Sequence, residues 1–304
     1  MYDRIIVPVE ENGGEEALTL ARALARKAGS ALTLLHVHHS REAPAELEGL
    51  PQYRYQHVVE TWDGLDVDEE AHEVEWLARK AADLAREEPE LEVGSRVVHA
   101  PLARTLHEDH ERLMVIALAD GPAMGPTVRE ILRAGGVPVL LVPPGHAPDL
   151  RSLGHVLVAL DGSGFSEEVV GPALELAAAI GARTSLVEVV AGHHGLAWLL
   201  RAGDRSAEAA DSFLRDVRAR LGERHGSLGI RVLQADDPAA ALVTEAAREE
   251  GGLLALATHG RGGLRRLLMG SVAERVVAES ALPVLIFRPT GAASPARQTE
   301  TAPA

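Results

Sequence analysis

The chain has 304 residues, carries 30 lysines and arginines against 45 aspartates and glutamates for a formal net charge of −15, and contains no cysteine. That length accommodates two domains of about 150 residues, each able to bury a core. The charge argues against general nucleic-acid binding, which needs a basic face. The missing cysteine excludes disulfides, thiol catalysis and cysteine-ligated zinc.

Taken in order, the chain reads as one pattern written twice. Arg4 to Glu10 (RIIVPVE) is an apolar strand ending in a carboxylate, and His155 to Asp161 (HVLVALD) repeats it. A glycine-containing loop and a pair of glutamates follow, Glu15 and Glu16 or Glu167 and Glu168. Ala17, Leu18, Ala21, Leu24, Ala25 and Ala28 then fall at helical intervals before Gly29, as do Val169, Val170, Ala173, Leu174, Ala177 and Ile180 before Gly181. Pro172 fits the second helix only if that helix starts late or bends.

Leu32 to Val37 and Thr184 to Val189 are the next strands. A variable region follows, which in the first copy (Arg41 to Glu75) is acidic, contains Pro44 and Pro51 and holds Tyr53, Tyr55 and Trp62, with Trp76 just beyond it. It reads as an ordered insertion or lid if its aromatics pack, the favoured reading, and as a mobile loop otherwise. Glu92 to His99 and Ile230 to Ala235 are predicted strands, each followed by a short helix opened by Pro101 or Pro238. Leu113 to Leu118 and Leu253 to Ala257 are short buried strands, and Val137 to Val142 and Leu282 to Phe287 close the copies after a helix.

Alternating helices and apolar strands imply parallel sheets covered on both faces. The expected fold is α/β, with two doubly wound, Rossmann-like domains of five parallel strands each, over residues 1–145 and 152–289, packed with pseudo-twofold symmetry as an intramolecular pseudo-dimer. His146 to Arg151 reads as the linker, and residues 290–304 as a disordered tail.

The stretch LALATHGRGGLRRLLMGS, Leu254 to Ser271, looks least like scaffold. A strand empties into Thr258, His259, Gly260, Arg261, Gly262 and Gly263, and Gly270 and Ser271 open a helix. Unpaired N–H groups and the dipole at a helix start suit an anion such as phosphate. A tight surface turn with a Ser-capped helix is the alternative. The order Ala257, two residues, Gly260, nine residues, Gly270, Ser271 resembles the ATP-binding motif of the universal stress protein family, which has a glycine where Ala257 stands. THGRGG, GSVAERVV and LPVLIF also resemble that family.

The resemblance implies a set of ATP contacts in the second copy. Asp161 matches the aspartate that contacts the nucleoside, with Ala159 before it, and Val189 the backbone position beside adenine. Gly260, Gly270 and Ser271 match phosphate contacts, flanked by Leu256, Ala257, His259, Arg261 and Val272. The bare-sequence alternative for Asp161-Gly162-Ser163 is an ordinary turn. The first copy departs from the motif: Glu10 replaces the aspartate, Ala119 to Met124 forms a shorter loop, and Gly125-Pro126 stands against Gly270-Ser271. Pro126 has neither the hydroxyl nor the N–H that phosphate would use.

His107 with His110, and His36 with His38 and His39, have no carboxylate partner at a recognised metal spacing, so no metal site is expected. No catalytic motif stands out. No apolar run approaches the ~18 residues of a membrane span, and MYDRIIVPVEE lacks a basic segment before a long apolar one. The expectation is a cytoplasmic, ATP-binding stress-response regulator or sensor with Mg as the accompanying ion, at most slow hydrolysis, an unknown protein partner, further homodimerisation left open, and no nucleic-acid or membrane partner. A nucleotide-free interaction module of the same fold is the alternative.

Overall fold

The central apolar runs become strands because helices bury both of their faces, whereas the two strands at the edges of the sheet stay partly exposed. The computed structural model describes residues 2–11, 13–38, 52–99, 113–118, 126–145, 149–192, 206–222, 228–249, 251–258 and 269–289, with the backbone alone for 52–67, 113–118, 126–127 and 134. The first half supplies β1 (Arg4–Pro8), β2 (Ala31–His38), β3 (Val93–His99), β4 (Leu113–Leu118) and β5 (Val139–Val142). The second supplies β6 (His155–Leu160), β7 (Arg183–Val190), β8 (Gly229–Gln234), β9 (Gly252–Ala257) and β10 (Val284–Phe287).

All ten strands form one sheet in the order β3-β2-β1-β4-β5-β10-β9-β6-β7-β8. Neighbours within each half are parallel. The halves meet through an antiparallel pair, β5 with β10, in which Leu140 faces Leu285 while Val139 faces Ile286 and Leu141 faces Val284. A pseudo-twofold axis therefore passes through the Leu140–Leu285 pair, as the duplicated sequence predicts.

Side chains alternate between two cores, as the two-residue period of a strand requires. Ile5, Val7, Leu34, Val156, Val158, Leu253, Ala255 and Leu285 lie on one face. Ile6, Leu35, Leu157, Val187, Leu254, Leu256, Val284 and Ile286 lie on the other. The first face is covered by α1 (Glu15–Ala28), α2 (Gln52–Glu87), α5 (Val170–Ile180) and α6 (Ala207–Leu221). The second is covered by α3 (Pro126–Ala134), α7 (Pro238–Arg248) and α8 (Ser271–Glu279). A short turn, α4 (Gly164–Glu167), precedes α5.

Two expectations meet their physical resolution here. α5 does start late: Pro172 lies in its first turn, where a backbone N–H has no helical acceptor to lose. The Pro172 carbonyl accepts a hydrogen bond from the Tyr2 hydroxyl at 2.8 Å, across the two halves. The region expected as an insertion is, from Gln52 onward, the beginning of the 36-residue helix α2. Of its aromatics, Trp76 packs against the core with its ring edge-on to His36 at 5.6 Å. The Tyr53, Tyr55 and Trp62 side chains, the helix expected after Pro101 and the 290–304 tail lie outside the described residues.

Candidate functional site

The registers of β6, β7 and β9 bring the second copy's candidate residues to one level. Ala159 pairs with Leu256 across β6 and β9, and Leu160 with Glu188 across β6 and β7. Val189, Asp161 and Ala257 thus end three adjacent strands within one residue of a common level, with about 4.8 Å between neighbouring strands. This is the crevice beyond the carboxyl ends of the strands where open α/β sheets bind ligands. Ala257 is extended strand with its methyl packed against the first core, and Ala159 and Val189 pack against the second.

Asp161 is held in place by the turn that follows it. Its Oδ1 accepts hydrogen bonds from the Ser163 N–H at 3.0 Å and the Ser163 hydroxyl at 2.6 Å. Its own N–H donates to Ser166 Oγ at 3.2 Å, and the Ser166 hydroxyl donates to the Ser163 carbonyl at 2.8 Å. The turn expected from Asp161-Gly162-Ser163 forms, and it fixes a half-buried carboxylate at the crevice mouth. The roles of Ser163 and Ser166 escaped the sequence reading, although an Asp two residues before a Ser is the signal for such a turn.

Across the crevice, the Thr258 N–H donates to the Phe287 carbonyl at 3.0 Å, and the Thr258 carbonyl accepts from the Gly270 N–H at 2.5 Å. Thr258 is fully buried, so the end of β9 and the start of α8 are pinned together. His259, Gly260 and Arg261 lie outside the described residues. The Ser cap of the alternative reading is not what opens α8. Gly270 is the N-cap, with φ −74° and no side-chain bond, and Ser271 is the exposed first helical residue, followed by Val272. Elsewhere in this half Ser163, Ser206 and Asp237 cap their helices through side chains. The start of α8 lacks such an acceptor and keeps its partial positive charge.

The first half is built differently at the same place. Glu10 is exposed and makes an isolated antiparallel bridge with Gly13. Pro126 is the first residue of α3, and the preceding 119–125 segment lies outside the described residues.

The histidines acquire carboxylate partners that sequence spacing did not supply. Glu73 of α2 reaches His38 Nδ1 at 2.8 Å and His36 Nε2 at 3.3 Å, from 35 residues beyond His38. His99 lies 3.1 Å from Glu70 and His72 2.9 Å from Glu11. These contacts clip one stretch of α2 over the ends of β1, β2 and β3. Among the described residues no group of three or more such side chains is arranged to hold a metal. His39, His107 and His110 lie outside them.

Fold and crevice together define a duplicated, doubly wound α/β protein with a crevice at the strand ends of its second half. The model of the universal stress protein family matches residues 1–143 and 153–288, and the chain belongs to that family. Universal stress protein Rv2005c of Mycobacterium tuberculosis is 30% identical over 282 residues, covering 84% of this chain and 87% of that protein. A universal stress protein of Thermus aquaticus is 32% identical over 137 residues, 44% of this chain and 97% of its own length. The crystal structure of a universal stress protein from Archaeoglobus fulgidus aligns over 94% of this chain and 96% of that one, with a TM-score of 0.61 at 16% identity. Among the described residues no helix is long and apolar enough to cross a membrane.

Proposed function

We propose that the chain binds one ATP, in the crevice of its second half, and acts as a nucleotide-responsive regulator in the stress response while its first half serves as structural partner. The observation that carries this reading is the uncapped start of α8, pinned beside the Asp161 strand end. Backbone N–H groups of Ser271 and Val272, with the Ser271 hydroxyl, are donors suited to phosphate oxygens. Asp161 accepts from ribose hydroxyls, and the Val189 backbone meets the base edge. Any Mg arrives with the triphosphate, because that ion is held largely through phosphate oxygens and water. Hydrolysis in this reading is at most slow, because a regulator needs only the binding donors whereas efficient transfer also needs a positioned nucleophile or water.

The test is equilibrium dialysis of ATP against the full chain. One ATP per chain is expected. Two would refute the division of labour between the halves. None would favour the nucleotide-free interaction module, with Ala257 in place of the motif glycine as the first residue to revert.

A further inference from the structure

A cavity of about 390 Å³ lies far from the crevice, at the junction of the two halves, lined by Ala23, Arg26, Lys27, Asp149, Leu150 and Arg151. It brings three cations and one carboxylate together in a chain whose net charge is −15. The cations come from two separate elements, Arg26 and Lys27 from the last turn of α1 and Arg151 from a 3₁₀ turn, Leu150–Ser152, that leads into the second half. The carboxylate is already committed: Asp149 Oδ1 accepts the Arg151 N–H at 2.9 Å and caps that turn.

The cations have capacity to spare. The Arg151 guanidinium has no hydrogen-bond or ion-pair partner among the described residues. Arg26 is 61% exposed and stands 3.4 Å from Glu88. Lys27 donates one N–H to the Ile180 carbonyl at the end of α5, which fixes the ammonium at the junction and leaves two donors. The carboxyl end of α1 is an unfavourable neighbour for an anion, but its dipole amounts to only about half an elementary charge. Two full charges in that same turn outweigh it, and the Ala25 carbonyl is covered by the Gly29 and Ser30 N–H groups.

We propose that this junction cavity binds a small diphosphate, which bridges α1 and the segment entering the second half. Cations facing from two sides favour a ligand with two anionic groups over one, and guanidinium forks match phosphate oxygens. The volume sits at the low end of ligand pockets, which run about 300 to 1,000 Å³. The site is independent of the crevice reading.

Calorimetric titration of the full chain with inorganic pyrophosphate at low ionic strength tests the proposal. Pyrophosphate is expected to bind at least about tenfold more tightly than orthophosphate, and the Arg26→Gln/Arg151→Gln chain to lose at least about tenfold in affinity. Both arginines are exposed, so the variant keeps its fold, checked by an unchanged melting curve. A Gly270→Asp chain, impaired in the crevice, is expected to retain this binding. Slower amide exchange over residues 149–153 and the last turn of α1 is the second readout. Methyl diphosphate separates the sources: binding equal to pyrophosphate assigns the site to the diphosphate end of a larger molecule, weaker binding to the free anion, and both sustain the site. No binding by wild type, or binding lost with Gly270→Asp and kept in the arginine variant, would overturn it.

Discussion

Gly270→Asp separates helix capping from phosphate binding, because the two should move in opposite directions. Gly270 has φ −74° and ψ 156°, an extended conformation that any residue adopts, so the substitution carries no backbone strain. An Asp at this position caps the second or third N–H of α8 and adds a favourable charge at the dipole's positive end. That stabilises the helix by a few tenths of a kcal/mol over glycine, and by up to about 1 kcal/mol with the dipole term. For a bound triphosphate the same carboxylate is doubly harmful. It occupies a donor worth about 1.5 to 3 kcal/mol to a charged partner, and it sets a like charge a few ångströms from the phosphates, about 4 kcal/mol at 4 Å with an effective dielectric of 20. Even the first effect alone weakens ATP by about ten- to hundredfold. Calorimetric titration with ATP and a melting curve without ATP measure the two quantities on the same preparation. A variant that melts at or slightly above the wild-type temperature and binds ATP as tightly as wild type would refute the assignment of phosphate to the start of α8.

Gly251→Ala should destabilise by about 3 kcal/mol or more: Gly251 has φ +69°, and an added methyl carbon would lie 1.5 Å from the Ser152 carbonyl oxygen. Urea unfolding checks this, and a loss below about 1 kcal/mol would contradict the geometry. The His155 imidazole and then the Arg231 guanidinium hold the Glu249 carboxyl below the usual carboxylate range. The stability it contributes is therefore complete above that range and is lost as the pH falls through the lowered folded value. Melting temperatures through the acid range should accordingly fall less steeply in Glu249→Gln than in wild type. Burial, and secondarily the charge of Glu175, pushes the Tyr2 hydroxyl far above its usual range, so ultraviolet titration of wild type minus Tyr2→Phe should reveal no phenolate until the chain unfolds in alkali.

The strands were legible because a parallel sheet buried on both faces leaves continuous apolar runs such as Leu253 to Ala257, with no polar alternation to confuse them. The duplication was legible for the same reason. The beginning of α2 was not. Tyr55, Val58, Val59, Trp62 and Leu65 recur there at helical intervals, but Asp63, Gly64 and Asp66 interrupt the pattern, and Leu77, Ala81 and Leu84, the residues by which α2 enters the core, come late in the helix. In the site, the glycine spacing pointed to the start of α8, but the neighbourhood of Asp161 depends on β6 pairing with β9, a contact between residues almost a hundred positions apart that no local pattern encodes. The Glu73 clip on His36 and His38 is invisible for the same reason. At Gly270-Ser271 the choice of cap turned on one backbone position, finer than sequence preference resolves.

The antiparallel joint of β5 and β10 changes what kind of thermodynamic object this chain is. Because the first core runs without interruption from Ile5 through Leu140 to Leu285 and Val156, neither half can melt without exposing apolar surface of the other. Calorimetry should then register one cooperative transition, with the heat capacity increment of the whole chain. A ligand at a hundred times its dissociation constant adds about 2.7 kcal/mol to whatever unfolds as a unit. On the proposed reading that unit includes the half with the altered motif, so ATP bound in the second half stabilises both.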